Sequence, residues 1–258
     1  MERKLWTKDE LILVFNLYLK LPFGKMHTRT PEIIEMANLL GRTVNSIAIR
    51  LTNFAACDPY HQSRGVKGMV GGIKQCQPIW DEFAKNKELL IFESEQILAK
   101  KENQTIETKF EDLLFDLKDL KGETKIREVK TRVNQNVFRQ IVIANYSGKC
   151  AITGIDIPEL LFASHIIPWS KNEDERLNPE NGICLSALYD KAYDKGLIAI
   201  NEKYKILISD KLKNKKDTDY YGKYFAPIEY QSLIQPQRYF PKKDFIQYHL
   251  DVIFNKNF

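Results

Sequence analysis

The chain has 258 residues, 43% of them hydrophobic and 28% charged. That balance excludes a disordered, fibrous or staple-dependent chain and leaves room for one large or two ordinary cores. Lysine and arginine number 39 against 34 acids, a formal charge of +5 that suggests a polyanionic partner without establishing one. Charge is uneven: Lys203 to Lys243 holds ten bases against four acids, Asp81 to Glu123 twelve acids against seven bases. No apolar run reaches the roughly 20 residues of a membrane helix, and Met1 to Asp9 lacks the apolar stretch of a secretory signal, so the expected location is cytoplasmic. Cys57, Cys76, Cys150 and Cys184 are scattered and read as buried thiols.

In chain order, Thr7 caps a first helix with Glu10 as its capping-box partner, followed by Leu11, Val14, Phe15 and Tyr18 at helical spacing. Thr30-Pro31 opens a second helix that Gly41 stops. Thr43 starts a third, running to about Ala56, with Ile47, Leu51, Phe54 and Ala55 as its buried stripe. The pattern fits a helix-turn-helix, whose last helix would offer Asn45, Arg50 and Asn53 to base edges. A plain helical bundle with a solvated face fits equally well. Arg64 and Lys67 lie in a glycine-rich basic stretch suited to phosphates or to a linker. Helical segments follow to about Leu120, and Arg127 to Tyr146 presents Val137, Phe138, Ile141 and Val142 on one face. The expected organisation is a helical domain at 1–95, a helical connector at 96–134 and a second domain at 135–258.

From Lys149 the character changes. Leu160 to Ile167 is apolar apart from Ser164 and His165, and a lone histidine there is most simply a core residue bonded to a carbonyl. Asn178-Pro179-Glu180-Asn181-Gly182 signals a turn, and Leu185 to Lys195 a short helix with Leu185, Leu188 and Ala192 facing inward. Asp190 and Asp194, four apart, share its other face.

The stretches CAITG, ELLFASHIIPW and RLNPENGICLSALYDKAYDKGLIAI, in that order, resemble the HNH endonuclease family with its ββα-metal fold. The amino-terminal part resembles the segment often fused ahead of such domains in bacterial restriction-type enzymes. The resemblance implies an α+β chain and a nuclease for double-stranded DNA, working with Mg2+ or Mn2+. His165 matches the general base, Asn181 the asparagine that ties down the histidine loop, Asp190 a metal ligand and Asp194 a second ligand or structural anchor. Arg176, before the turn, would clamp a phosphate or form a surface ion pair. The family often has aspartate or histidine where this chain has Ser164, and histidine where it has Tyr189. Those departures keep open a catalytically impaired DNA-binding regulator, and the chemistry alone leaves open an RNA-directed nuclease. Cutting both strands would require a homodimer or sequential nicking.

Overall fold

The computed structural model describes residues 5–65, 70–117 and 120–255, and Lys67 lies outside them. The chain divides into two compact units, Met1–Val137 and Phe138–Phe258.

The first unit is helical. Its helices are α1 (Lys8–Lys20), α2 (Pro31–Leu40), α3 (Val44–Cys57), α4 (Pro59–Ser63), α5 (Ile73–Phe83), α6 (Lys87–Lys101) and the single turns α7 (Ile106–Lys109) and α8 (Glu111–Leu114). The Thr7–Glu10 capping box forms, with the Thr7 hydroxyl accepting the Glu10 N–H at 3.3 Å and Glu10 accepting the Thr7 N–H at 2.9 Å. Pro31 takes the first position of α2, and Gly41 ends it at φ +58°, a left-handed conformation that glycine adopts without Cβ strain. Thr43 caps α3 through the Ser46 N–H. Phe15 and Phe54 stack at 4.7 Å in the core, and Trp80 of α5 lies over Phe15 at 5.0 Å.

The structure corrects the expected exposed face of α3. Arg50 and Asn53 are 8% and 1% exposed, because α5 packs along the side left open by the sequence pattern. The Arg50 guanidinium donates to the Gly72 carbonyl at 3.2 Å and to Gln75 Oε1 at 2.8 Å, and lies 4.7 Å from the Trp6 ring. Asn53 sits so close to Gly72 that a Cβ there would fall 1.9 Å from Asn53 Oδ1. Both side chains hold the α3–α5 contact and are withdrawn as base-reading candidates. Asn45 and Arg64 are exposed, and Arg64 donates to the Tyr60 hydroxyl at 2.8 Å.

The helix α9 (Gly122–Asn145) carries the division between the units. In the second unit, Phe138, Ile141 and Val142 form its buried face, beside a two-stranded antiparallel ribbon, β1 (Leu161–His165) with β2 (Gly182–Ser186). The ribbon runs directly into α10 (Ala187–Asp194), which packs on β1 and β2. A second antiparallel pair follows, β3 (Ile198–Ile200) with β4 (Ile206–Ile208), then α11 (Asp210–Lys213), α12 (Asp219–Tyr224) and α13 (Lys243–His249). The chain is therefore α+β. The buried face of α10 is Tyr189, Ala192 and Tyr193; Leu188, expected inside, is 45% exposed. The aromatic pair at 189 and 193 fills the interior that the leucine would have entered. All four cysteines are buried and unpaired, with burial pushing the Cys57 and Cys184 thiols up to about 12.

Two positions in this unit are constrained by contact. Gly182 has φ −128°, ordinary extended backbone, so no turn requires its glycine. Space does: a Cβ there would lie 2.4 Å from Val142 Cγ2 and 2.9 Å from Phe138 Cζ. Gly182→Ala is expected to cost about 1–3 kcal/mol through overpacking, measured by urea unfolding, with part recovered by adding Val142→Ala. His249, 1% exposed, stacks on Tyr193 at 3.8 Å and donates from Nε2 to the Tyr193 carbonyl at 3.1 Å. Burial drives its pKa down from 6.5 to about 4, against the opposing pull of that bond. The unfolded chain therefore binds the proton more readily, and stability present above pH 6.5 is lost as pH falls toward 4. The loss should reach about 3 kcal/mol, seen as a pH-dependent fall in Tm that His249→Phe flattens.

Candidate active site

Backbone pairing places the candidate residues. His165 ends β1 opposite Gly182, and Ser164 stands opposite Ile183. The ladder continues one step further, the Ile166 N–H donating to the Asn181 carbonyl at 3.0 Å. Side chains alternate along the strand, so Ser164 and His165 point to opposite faces.

Asn181 is fully buried and acts through its amide. Its Oδ1 accepts the Ile167 N–H at 2.8 Å, and its Nδ2 donates to the Ile167 carbonyl at 3.1 Å and the Glu175 carbonyl at 3.3 Å. The two sides of loop 166–181 are thereby tied to each other immediately after the histidine. Asn178 closes the turn, its Oδ1 accepting the Glu180 N–H at 3.1 Å.

His165 is half-buried between rings. Phe138 stacks on it at 4.2 Å with an interplanar angle of 14°, and Trp169 meets it edge-on at 5.5 Å. Its Nε2 lies 2.8 Å from the Arg176 carbonyl oxygen, which can only accept, so Nε2 carries the proton and Nδ1 keeps the lone pair. Burial lowers its pKa from 6.5, opposed by the Arg176 bond and then by the negative charge of Asp190. Near neutral pH the ring is a free base. The carbonyl bond expected of a packed histidine is present, and here it selects the tautomer.

On the other face, the Ser164 hydroxyl donates to Asp190 Oδ1, joining β1 to α10. Asp190 is half-buried and Asp194 exposed, one turn apart. Partial desolvation, then the charge of Asp190, raises the Asp194 carboxyl, while Lys191 and Lys195 pull it down. Tyr189 is 6% exposed and donates its hydroxyl to the Tyr224 carbonyl at 2.7 Å, which commits it to the interior. Among the described residues, no three His, Cys, Asp or Glu side chains gather to hold a metal ion. The donors at hand are carboxylate oxygens, one already bonded to Ser164. That set fits a hard divalent cation whose shell is completed by water and phosphate oxygens, and does not fit a closed tetrahedral zinc site.

Arg176 contributes its carbonyl to His165, while its guanidinium lies 5.0 Å from the Trp169 ring and 3.9 Å from Glu173. His165 meets the Arg176 carbonyl with Asn181 holding the same loop, while Ser164 bonds Asp190 from the opposite face of β1 and Asp194 lies one turn further along α10, all within the second unit. Phe138, Trp169 and Gly182 were not among the expected site residues. Phe138 was legible only as a buried helix position, and Trp169 only as part of the P-W signature.

A ribbon leading into a helix, with a neutral histidine ending the first strand and a carboxylate on the helix, defines a ββα nuclease module. The sequence model of the HNH endonuclease family matches residues 150–201, and the chain carries an HNH endonuclease domain there. No curated protein matches the chain.

The Asn181 amide makes a direct prediction. Asn181→Ala leaves the buried Ile167 N–H and two carbonyls without their side-chain partner, at a cost of about 1–3 kcal/mol. Amide exchange at Ile167 should accelerate by about tenfold or more, read by native-state hydrogen exchange.

Proposed function

We propose that the protein is a divalent-metal-dependent endonuclease that hydrolyses phosphodiester bonds in double-stranded DNA, of restriction type. The observation that carries this reading is the His165 tautomer: with Nε2–H held by the Arg176 carbonyl, Nδ1 is the basic atom available to take a proton from water. Asn181 is a positioning residue, since its amide is spent on the loop backbone. Phe138 fixes the ring plane, and Gly182 leaves the volume that allows Phe138 to reach it.

Asp190, oriented by Ser164, would hold Mg2+ or Mn2+, with Asp194 adding negative charge one turn away. Such a cation supplies charge neutralisation at the phosphate and at the departing 3′ oxygen, leaving 5′ phosphate and 3′ hydroxyl ends. Arg176, beside His165 and lying against Trp169, would bind a non-bridging phosphate oxygen, and Asn45 and Arg64 are the exposed DNA contacts proposed in the first unit. One site nicks one strand, so cutting both requires a homodimer or sequential nicking.

The Ser164 hydroxyl on Asp190 favours one second reading, a DNA-binding regulator in which the carboxylate is occupied by protein. Plasmid nicking separates the two. The nuclease should nick with Mg2+ or Mn2+, stop with EDTA, and lose about 100-fold or more in rate with His165→Ala while retaining DNA binding. Its rate should hold to a pH below 6.5, since the His165 pKa is lowered. DNA binding without cleavage under any metal would establish the regulator, and preferential cleavage of structured RNA in competition would redirect the substrate.

A further inference from the structure

We propose that the first unit grips the sugar-phosphate backbone of DNA, without reading its bases, through a basic patch built from loop 23–29 and the helix α4. The inference deepens the DNA-binding part of the nuclease reading and rests on it for the choice of polyanion. Its residues all lie outside the candidate active site.

Two stretches of the sequence carry bases and no acids: residues 21–31, with Lys25 and Arg29, and residues 59–80, with Arg64, Lys67 and Lys74. The helices α2 and α3 separate them along the chain, and ring contacts join them in the fold. Phe23 packs against His61 of α4 at 4.6 Å between centroids, and His61 meets Tyr60 edge-on at 5.1 Å. The guanidinium of Arg64, the residue that ends α4, lies over the Tyr60 ring at 5.2 Å. Loop 23–29 is therefore seated on the helix that presents Arg64. Its own bonds hold its shape: the Thr30 hydroxyl donates to the Lys25 carbonyl, and the Thr30 N–H to the His27 carbonyl at 3.1 Å. Met26 and Thr30 are buried, whereas Lys25, His27 and Arg29 are exposed.

The charge of this surface is uncompensated. Among the described residues, Lys25, Arg29 and Arg64 form no ion pair. The acids closest in sequence are engaged elsewhere. Asp58 is 6% exposed, and its carboxylate accepts the Tyr18 hydroxyl at 2.6 Å and the Tyr60 N–H at 2.9 Å. Glu32 lines the cleft that α2 shares with α1 and α6. Exposed, unpaired cations on a fixed loop and a helix end match a polyanion, and the HNH endonuclease domain makes that polyanion a nucleic acid. Backbone contact rather than base reading follows from the elements themselves. Arg50 and Asn53, the side chains of α3 suited to base edges, are enclosed, and flexible bases on a loop position a duplex without reading its sequence.

Fluorescence anisotropy of the full-length protein on labelled DNA duplexes, in EDTA so that no cleavage intervenes, tests this. Lys25→Gln/Arg29→Gln/Arg64→Gln should lower the slope of log affinity against log salt by about 2–3, since each phosphate contact contributes about 0.9. Affinity at about 50 mM salt should fall by about tenfold or more, and equally on two duplexes of unrelated sequence. Lys25→Gln/Arg29→Gln, which removes no side-chain hydrogen bond among the described residues, should lower the slope by about 2 and decides the matter if the triple variant does not fold. Lys85→Gln/Lys100→Gln/Lys101→Gln, an equal change of charge at exposed positions of the acid-rich stretch, should alter affinity by less than about threefold. Binding with this signature but no nicking under Mg2+ or Mn2+ would remove the nuclease reading and support the patch. An unchanged slope in the patch variants overturns the patch whether or not the protein nicks DNA. So does equal weakening by the control variant, a loss confined to one duplex sequence, or a loss seen only on phosphatidylserine vesicles.

Discussion

A histidine that must remain neutral while half-buried has to place one ring nitrogen against a fixed acceptor, and the candidate site is organised around that requirement. The Arg176 carbonyl is the acceptor, at 2.8 Å from Nε2. A backbone oxygen is a useful partner only if its loop is immobile. Asn181 provides that by bonding to both backbone groups of Ile167 and to the Glu175 carbonyl, one residue before Arg176. Phe138 then fixes the ring plane from α9, and Ser164, the preceding residue on the opposite face, orients Asp190. Strand alternation explains why two adjacent residues serve two different elements: one directs the ring toward the loop, the other bonds the helix.

Much of this was legible in the residues. The Thr7–Glu10 box, the Thr30-Pro31 start, the Gly41 stop and the buried stripe of α9 are local signals, set by nearest neighbours and periodicity, and each formed. What local pattern could not supply was the covering of α3. The amphipathic stripe marked one buried side, and only the packing of α5, from beyond a glycine-rich stretch, revealed that Arg50 and Asn53 are enclosed as well. A guanidinium reads as surface in a helical pattern; here it is buried because a carbonyl, an amide oxygen and an aromatic face surround it. The same limit applied to Leu188, whose inward place is taken by Tyr189 and Tyr193.

At the candidate site, sequence motifs pointed to side chains but not to the partners that set their chemistry. The acceptor for His165 is a main-chain oxygen, and no side-chain identity encodes it. Gly182 looked like a turn residue and is an extended one, retained because Phe138 and Val142 occupy the space where a side chain would be. Tyr189 looked like a lost ligand and is an interior residue tied to the Tyr224 carbonyl.

Asn145 has a bearing on how the second unit is made. Its side-chain oxygen accepts the N–H groups of Arg238 and Tyr239, and its nitrogen donates to the Tyr239 carbonyl, across more than ninety residues. The ring under Tyr193 comes from His249, later still. During synthesis, the ribbon and its helix leave the ribosome before the segments that finish their surroundings exist. Closure of this unit must await those late arrivals, so the candidate site reaches its final surroundings only after they are made, a delay written into long-range contact order.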